Sequence, residues 1–244
     1  MPDAIFAHPR LAAVYDAFDG ARDDLAVYLN IADELGARRV LDVGCGTGCL
    51  VALLAESGRA VVGVDPAEAS LAVAKAKPGS ERATWLHGDA TTLPDLAVDL
   101  AVMTGNVAQV FLSDDDWSRT LQGIHRALRP GGHLVFETRR PERRAWEDWV
   151  ADTAPVMATV PGIGVVERWL AVTDVRLPFV SFRCGYRFLA DGTVLTSDST
   201  LRFRDREEVA ASLAQHGFRV LDVRDAPDRP GREYVFVAGT PPTG

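Results

Sequence analysis

An open, mostly parallel α/β sheet, interrupted once by an antiparallel β segment, is the fold class that this sequence predicts. Three observations carry it. Residues 36–138 alternate short β-branched runs with stretches of helical spacing; the first run ends in a turn with glycine at 44, 46 and 48; and residues 139–203 abandon the alternation for long strand-like runs before it resumes. Helix–strand alternation implies parallel strands with crossover helices on both faces of the sheet. A strand entering a glycine-spaced turn and then a helix offers backbone N–H groups and a helix N-terminus to a ligand.

Residues 1–20 are irregular and predict no element. From Ala21 the apolar residues Leu25, Tyr28, Leu29, Ala32 and Leu35 recur at helical spacing, with Gly36 as the stop, so an amphipathic helix precedes the first strand and packs on the sheet or covers the site. Strands are expected at 39–43, 60–64, 83–87, 98–103 and 133–138, and helices at 48–57, 67–76 and 114–128. Ser113 caps the last of these helices, with Asp114, Asp115 and Asp116 at its positive end and Trp117, Leu121, Ile124 and Leu128 as its buried stripe. Pro130-Gly131-Gly132 ends it.

The insertion reads as three strands, 165–174, 179–189 and 193–202, with Asp191-Gly192 as a hairpin turn. Asp205 and Glu208 then suggest a capping box for a helix carrying Val209 and Leu213 and stopped at Gly217. Strands at 218–224 and 233–239 are joined by a short loop, so the last should run antiparallel to its neighbour. The tail from Thr240 to Gly244 should fray. The expected organisation is an N-terminal helical lid (1–35), the ligand-binding sheet domain (36–138 and 204–244) and an antiparallel insertion over the substrate site (139–203).

Composition narrows the function. The chain has 244 residues, 47% of them apolar, enough for a substantial core, and a net charge of −8 that disfavours broad adhesion to nucleic acid or anionic membrane. No apolar run reaches the roughly 18 residues needed to cross a bilayer, and the start has no signal-like pattern. The reading is cytoplasmic, a monomer or homodimer. Cys45, Cys49 and Cys184 form no disulfide framework, and Cys45 with Cys49 has no neighbouring ligands to complete a metal site. No metal is expected.

The dinucleotide fingerprint Gly-x-Gly-x-x-Gly would need glycine at 49, where the chain has Cys49, and this argues against NAD. Asp65 ends the apolar strand Val61-Val62-Gly63-Val64, where a carboxylate can accept from both hydroxyls of a ribose, and Asp89 ends the next strand at the same sheet edge. The turn and both acids can therefore line one crevice.

The ordered set Val40-Leu41-Asp42-Val43-Gly44-Cys45-Gly46-Thr47-Gly48, Val64-Asp65-Pro66, Gly88-Asp89-Ala90, Asp99-Leu100-Ala101-Val102-Met103 and Leu128-Arg129-Pro130-Gly131-Gly132 resembles the class I S-adenosylmethionine (SAM) dependent methyltransferases of small molecules. The resemblance implies a Rossmann-like seven-stranded sheet of order 3-2-1-4-5-7-6. It also implies SAM as cofactor and S-adenosylhomocysteine (SAH) as product. Under it Gly44, Cys45, Gly46 and Gly48 wrap the methionine moiety, Asp65 with Pro66 takes the ribose, and Asp89 with Ala90 takes the adenine.

Thr104, Asn106 and Gln109 leave the fourth strand where donor and acceptor should meet, and either hold the donor's amino acid end or the acceptor, or cap the loop. Tyr15 resembles an N-terminal tyrosine found near the sulfonium in many small-molecule methyltransferases. The catalytic candidates are Tyr15, His8 and Asn106; no histidine stands out as a base. The expected partner is a small-molecule acceptor methylated on N or O. Arg139, Arg140, Arg143 and Arg144 with Trp146 and Trp149, and Arg183 and Tyr186 on the insertion, either offer an acidic or planar substrate a surface or are solvated arginines and packing aromatics; RNA or protein methylation, or SAM sensing without turnover, are the alternative functions.

Overall fold

The computed structural model describes residues 1–20, 22–152 and 154–242. Three short helices, α1 (Ala4–Ala7), α2 (Pro9–Ala12) and α3 (Tyr15–Phe18), precede α4 (Leu25–Glu34), and then β1 (Arg39–Val43), α5 (Cys49–Glu56), β2 (Ala60–Asp65), α6 (Glu68–Ala76), β3 (Ala83–His87), β4 (Val98–Met103), α7 (Asp114–Ala127) and β5 (Leu128–Arg139) follow. The insertion comprises α8 (Ala145–Ala151), β6 (Val156–Val160), β7 (Gly164–Arg176), β8 (Phe179–Phe188) and β9 (Val194–Arg202). The chain closes with α9 (Arg206–Gln215), β10 (Arg219–Asp225) and β11 (Glu233–Gly239).

Seven strands form one sheet in the order β3-β2-β1-β4-β5-β11-β10, which is the expected 3-2-1-4-5-7-6. The first five are parallel, and β11 runs antiparallel to both β5 and β10. One face is covered by Trp117, Leu121 and Ile124 of α7 with Val209 and Leu213 of α9. The other is covered by Leu25, Tyr28 and Ile31 of α4 with Leu50, Leu54 and Leu71. Strands buried on both faces explain the near-continuous apolar runs of β1, β2 and β4. The helix before β1 thus packs on the sheet and begins at Leu25, later than its sequence pattern; Ala21 lies outside the described residues.

Local chemistry sets the helix ends. Ser113 Oγ accepts from Asp116 N at 3.0 Å at the start of α7. Helix α9 has half of the expected capping box: Asp205 Oδ1 accepts from Glu208 N at 2.7 Å, but the Glu208 carboxylate turns to Arg202 at 2.7 Å. The fifth strand begins earlier than its apolar run, because Leu128 already pairs with Val98 and the Pro130–Gly132 segment is absorbed as a register shift.

The insertion is a separate antiparallel sheet, β6-β7-β8-β9, one strand larger than expected. Strand β6 has no in–out alternation, since only Val160 is buried, which removes the period-2 signal. The Asp191-Gly192 hairpin is present, with Gly192 at φ +71° and Asp191 Oδ1 accepting from Thr193 N at 3.0 Å. Ile5, Leu11 and Val14 of the N-terminal arm pack on this sheet against Val166, Tyr186 and Phe188. Burial against a sheet more than a hundred residues away orders a segment whose own sequence predicts nothing. Of the tail, Thr240 is buried and bonded to Gly132, and Thr243 and Gly244 lie outside the described residues. Among the described residues no helix is long and apolar enough to cross a membrane.

Candidate active site

The turn after β1 has three glycines with positive φ and three different surroundings. At Gly44 (φ +73°) an added Cβ would lie 2.8 Å from Val107, and at Gly48 (φ +78°) it would lie 2.5 Å from Trp85. At Gly46 (φ +53°) it would meet nothing within 4 Å. Two glycines are required by packing and by the left-handed backbone; the middle one faces open space. Cys45 lies under the turn, its sulfur 3.0 Å from where a Cβ on Gly63 would stand, and burial pushes its thiol well above the ordinary range. It packs and is held neutral.

Asp65 at the end of β2 ties the turn down. Its Oδ2 accepts from Gly46 N at 2.8 Å and its Oδ1 from Ala67 N at 2.8 Å, leaving each oxygen one further lone-pair direction. Burial raises its pKa, against the lowering effect of those two bonds. Asp42, on β1 two residues before the turn, is 1% exposed, and its Oδ1 has no hydrogen-bond partner among the described residues. Burial, and secondarily the Asp65 charge, push Asp42 up to about 7. An unpaired buried carboxylate beside an open turn fits a cationic ligand group, so the residues fit the ammonium-bearing end of SAM.

Asp89 spends Oδ1 on capping its own turn, accepting from Thr91 N at 2.8 Å and Thr91 Oγ1 at 2.6 Å. Among the described residues its second oxygen carries no such bond. Ala90 is buried under Gly123, and the Pro66 carbonyl lies 3.1 Å from His87 Nε2.

The loop after β4, from Thr104, is held by two buried acids that the sequence reading gave no role. Glu137 Oε1 accepts from Gly105 N at 2.7 Å and Asn106 N at 3.2 Å, and Tyr28 Oη donates to its Oε2. Glu233 Oε1 accepts from Asn106 Nδ2 at 3.0 Å and Arg229 Nη1 at 2.9 Å. Burial and the Glu233 charge raise the Glu137 pKa. Asn106 is left-handed at φ +61° and buried, so it shapes the loop from within. Gln109, also buried, accepts from Arg139 Nη1 at 3.0 Å and supports that arginine.

Two clefts open beside this loop. A smaller one of about 380 Å³ has Tyr15, Gly105 and Asn106 on its wall with Asp19, Arg22 and Arg139. A larger one of about 650 Å³ lies between the end of the seven-stranded sheet and the insertion, and shares Arg139 and Arg229 with the first. Burial pushes the Tyr15 phenol well above its usual range. Of the catalytic candidates, Tyr15 and Asn106 therefore reach a cleft. His8 lines neither; its Nδ1 accepts from Arg10 N at 3.2 Å and caps α2.

The N-terminal arm is fastened to the glycine turn. Asp16 Oδ1 accepts from Thr47 Oγ1 at 2.5 Å, and Asp16 Oδ2 pairs with Lys77 Nζ at 2.7 Å. Arg22, at φ +52°, is paired with Asp19 at 2.6 Å and Asp24 at 3.0 Å and lies near enough to Asp42 to offset part of its burial. Asp16 and Arg22 have no local signal. The acids could have been found, because a carboxylate within a buried strand, as in β1 and β5, has to be paired or left for a ligand.

Comparisons with known proteins agree with this geometry. A family model described as a methyltransferase domain matches residues 40–132, from β1 into the first residues of β5. The cypemycin N-terminal methyltransferase of a Streptomyces species is 32% identical over 135 residues, 54% of this chain and 55% of that protein. The demethylmenaquinone methyltransferase of Clavibacter sepedonicus is 28% identical over 232 residues, 88% of this chain and 85% of that one. The chain spans about half the length of several curated relatives it matches. The sugar N-methyltransferase KedS8 from Streptoalloteichus superposes with a TM-score of 0.75 over 93% of this chain and 91% of that one; at 21% identity, the likeness is one of fold. Domain model, strand order and turn together make residues 40–132 similar to a methyltransferase domain, in keeping with the resemblance to the class I SAM-dependent methyltransferases.

Proposed function

We propose that this protein transfers a methyl group from SAM to a nitrogen or oxygen of a small molecule by in-line displacement. The observation that carries the reading is the pairing of open space over Gly46 with the buried Asp42 Oδ1, which has no partner among the described residues. Gly44–Gly48 and Asp42 would hold the amino acid end of the cofactor, Asp65 its ribose, and Asp89 its adenine. Bound SAM supplies a methyl group already activated by the positive charge on its sulfur. The chain's task is then alignment, for which well-oriented reactants gain about 7 to 11 kcal/mol.

The acceptor would occupy the two joined clefts, whose sizes, about 380 and 650 Å³, suit a metabolite better than a duplex or a folded partner. The N-terminal arm and the insertion serve as its cover, Tyr15 forming the wall between them and the loop after β4. An amine or hydroxyl acceptor must lose a proton, and the acidic wall at Asp19, Asp23 and Asp24 is the place for it to go. The sugar N-methyltransferase among the fold relatives supports N-methylation of a small molecule as the first class to assay.

Isothermal calorimetry with SAH and a radiolabelled-methyl assay over amines, phenols, carboxylates, RNA and peptides test the reading. Micromolar SAH binding with transfer only to small molecules is expected. Transfer confined to RNA or protein, or tight SAH binding with no transfer, would replace it. Asp65→Ala should weaken SAH at least about tenfold, since a hydrogen bond to a charged group is worth about 1.5–3 kcal/mol. Unchanged affinity would remove Asp65 from the ribose site.

A further inference from the structure

The larger cleft has a sign opposite to that of the molecule. The chain carries a net charge of −8, yet five arginines, Arg139, Arg143, Arg168, Arg229 and Arg232, line this one cleft against three carboxylates. Three of the five are occupied. Arg232 pairs with Asp148 at 2.9 Å, Arg229 with Asp228 at 2.8 Å and Glu233 at 2.9 Å, and Arg139 with Gln109 at 3.0 Å while lying 3.9 Å from Glu233.

The other two are not. Among the described residues no carboxylate lies within 4.0 Å of Arg143 or Arg168. Arg143 spends Nε on the Gly231 carbonyl at 2.8 Å, which fixes the side chain and leaves its terminal nitrogens. Arg168 projects from β7, its guanidinium carbon 5.9 Å from the centre of the Phe18 ring. Its charge also opposes the upward push of burial on Tyr15 and Tyr186, so it stands where the larger cleft approaches the Tyr15 wall of the smaller one. Arg168 is half-buried and always charged, touches the Cys184 thiol but has no carboxylate partner among the described residues, and is costly unless a ligand pairs it; Arg143 is exposed, and the planar fork of each matches carboxylate and phosphate oxygens two at a time.

We propose that Arg168 and Arg143 anchor an anionic group, a carboxylate or a phosphate, carried by the methyl acceptor, so that the acceptor is a small anion whose charged end lies in the arginine cleft and whose reacting atom extends past Tyr15. This rests on the methyltransferase reading above. The remaining arginines hold the cleft walls, and the half-buried Trp149 indole on the same wall gives the ligand body an apolar surface.

The probes are benzoate, phenyl phosphate and neutral benzamide, titrated by calorimetry into SAH-loaded protein at low salt. The expected result is that one or both anions bind at least about tenfold tighter than benzamide, and that added salt weakens them. Arg168→Gln and Arg143→Gln should each reduce anion binding at least about fivefold with SAH affinity unchanged, Arg168→Lys should recover part of the loss, and Arg183→Gln, whose arginine is paired with Asp198 outside both clefts, should change nothing. The better of the two anions identifies the anchored group. Equal binding of benzamide, insensitivity to both glutamine variants, or no anion binding at about 10 mM with SAH still bound would overturn the proposal. Loss of SAH binding by the wild type would instead overturn the cofactor reading.

Discussion

Gly46→Val is expected to abolish SAH binding while the protein stays folded. The backbone there is left-handed, which costs a residue with a Cβ about 1–2 kcal/mol, and the added Cβ would meet no protein atom within 4 Å. Its amide would keep the 2.8 Å bond to Asp65, since the substitution leaves the backbone donor in place. A cost of that size lowers the melting temperature by several degrees, at about 2–4 °C per kcal/mol for a chain near this length. The isopropyl group would fill the space over the turn, and SAH affinity should fall by at least about a thousandfold, or about 4 kcal/mol.

Gly48→Ala makes the contrast. Its Cβ would enter Trp85 at 2.5 Å and approach Ala74 at 3.0 Å, in the packing between α6 and β3, so it should unfold at markedly lower temperature whether or not a ligand is present. The measurement is differential scanning fluorimetry with and without SAH. Gly46→Val should melt only several degrees below the wild type and gain nothing from SAH, whereas Gly48→Ala should melt much earlier and still gain. A normal SAH-dependent rise in Gly46→Val would show that the cofactor does not cross this turn.

The same contrast marks how far the sequence could be read. Glycine at 44, 46 and 48 was visible, as were the strand runs and the caps, because each is a local pattern of period, propensity or turn chemistry. Which of the three glycines makes room for a ligand was not visible, since that depends on Val107 and Trp85 arriving from elsewhere in the fold. The N-terminal arm shows the limit more plainly. Its four-residue helices are too short to have a periodicity, and its order comes from Ile5 and Leu11 against the insertion and from Asp16 on Thr47 and Lys77.

Asn106 and Gln109 were recognisable as polar residues at the end of β4, but not as buried supports. Their partners, Glu233 and Arg139, pair with each other across β11 and β5. Glu137 and Asp42 are different, because both interrupt apolar strands. A chain gains nothing in stability from an unpaired acid at the centre of a sheet, so such residues point to the site before any coordinates exist. Asp89 and His8 each cap the turn or helix that follows, a local role that the sequence pattern does not separate from a ligand contact.

Asp42 supplies the second large effect, and it is one of pH. The neighbours that set it are burial, the Asp65 carboxylate on β2 and, opposing both, Arg22 on the N-terminal arm. With its pKa raised to about 7, the folded protein without ligand holds a proton that the unfolded chain releases near pH ~3.9. The native state therefore binds the extra proton between those limits, and stability from this group is full below the lower limit, falls as pH rises, and is lost above about 7. The full displacement corresponds to about 4 kcal/mol.

Asp42→Asn removes the titration, so chemical denaturation without ligand should find the variant similar to the wild type near pH ~4 and more stable by up to about 4 kcal/mol above pH ~8. Binding should show the opposite preference. The ammonium end of SAH needs the carboxylate charged, so wild-type affinity should rise close to tenfold per pH unit up to about 7 and level off above it. The Asn variant should bind weakly with no such slope, because the ammonium would meet an amide in place of a charge. A wild-type affinity flat from pH ~5.5 to ~8, or a slope that survives in Asp42→Asn, would detach Asp42 from the cofactor. If the variant also proved no more stable at high pH, the orphaned oxygen beside Gly46 would need a partner within the protein. Both results together tie the stability given up in the empty protein to the cation that the site is built to receive.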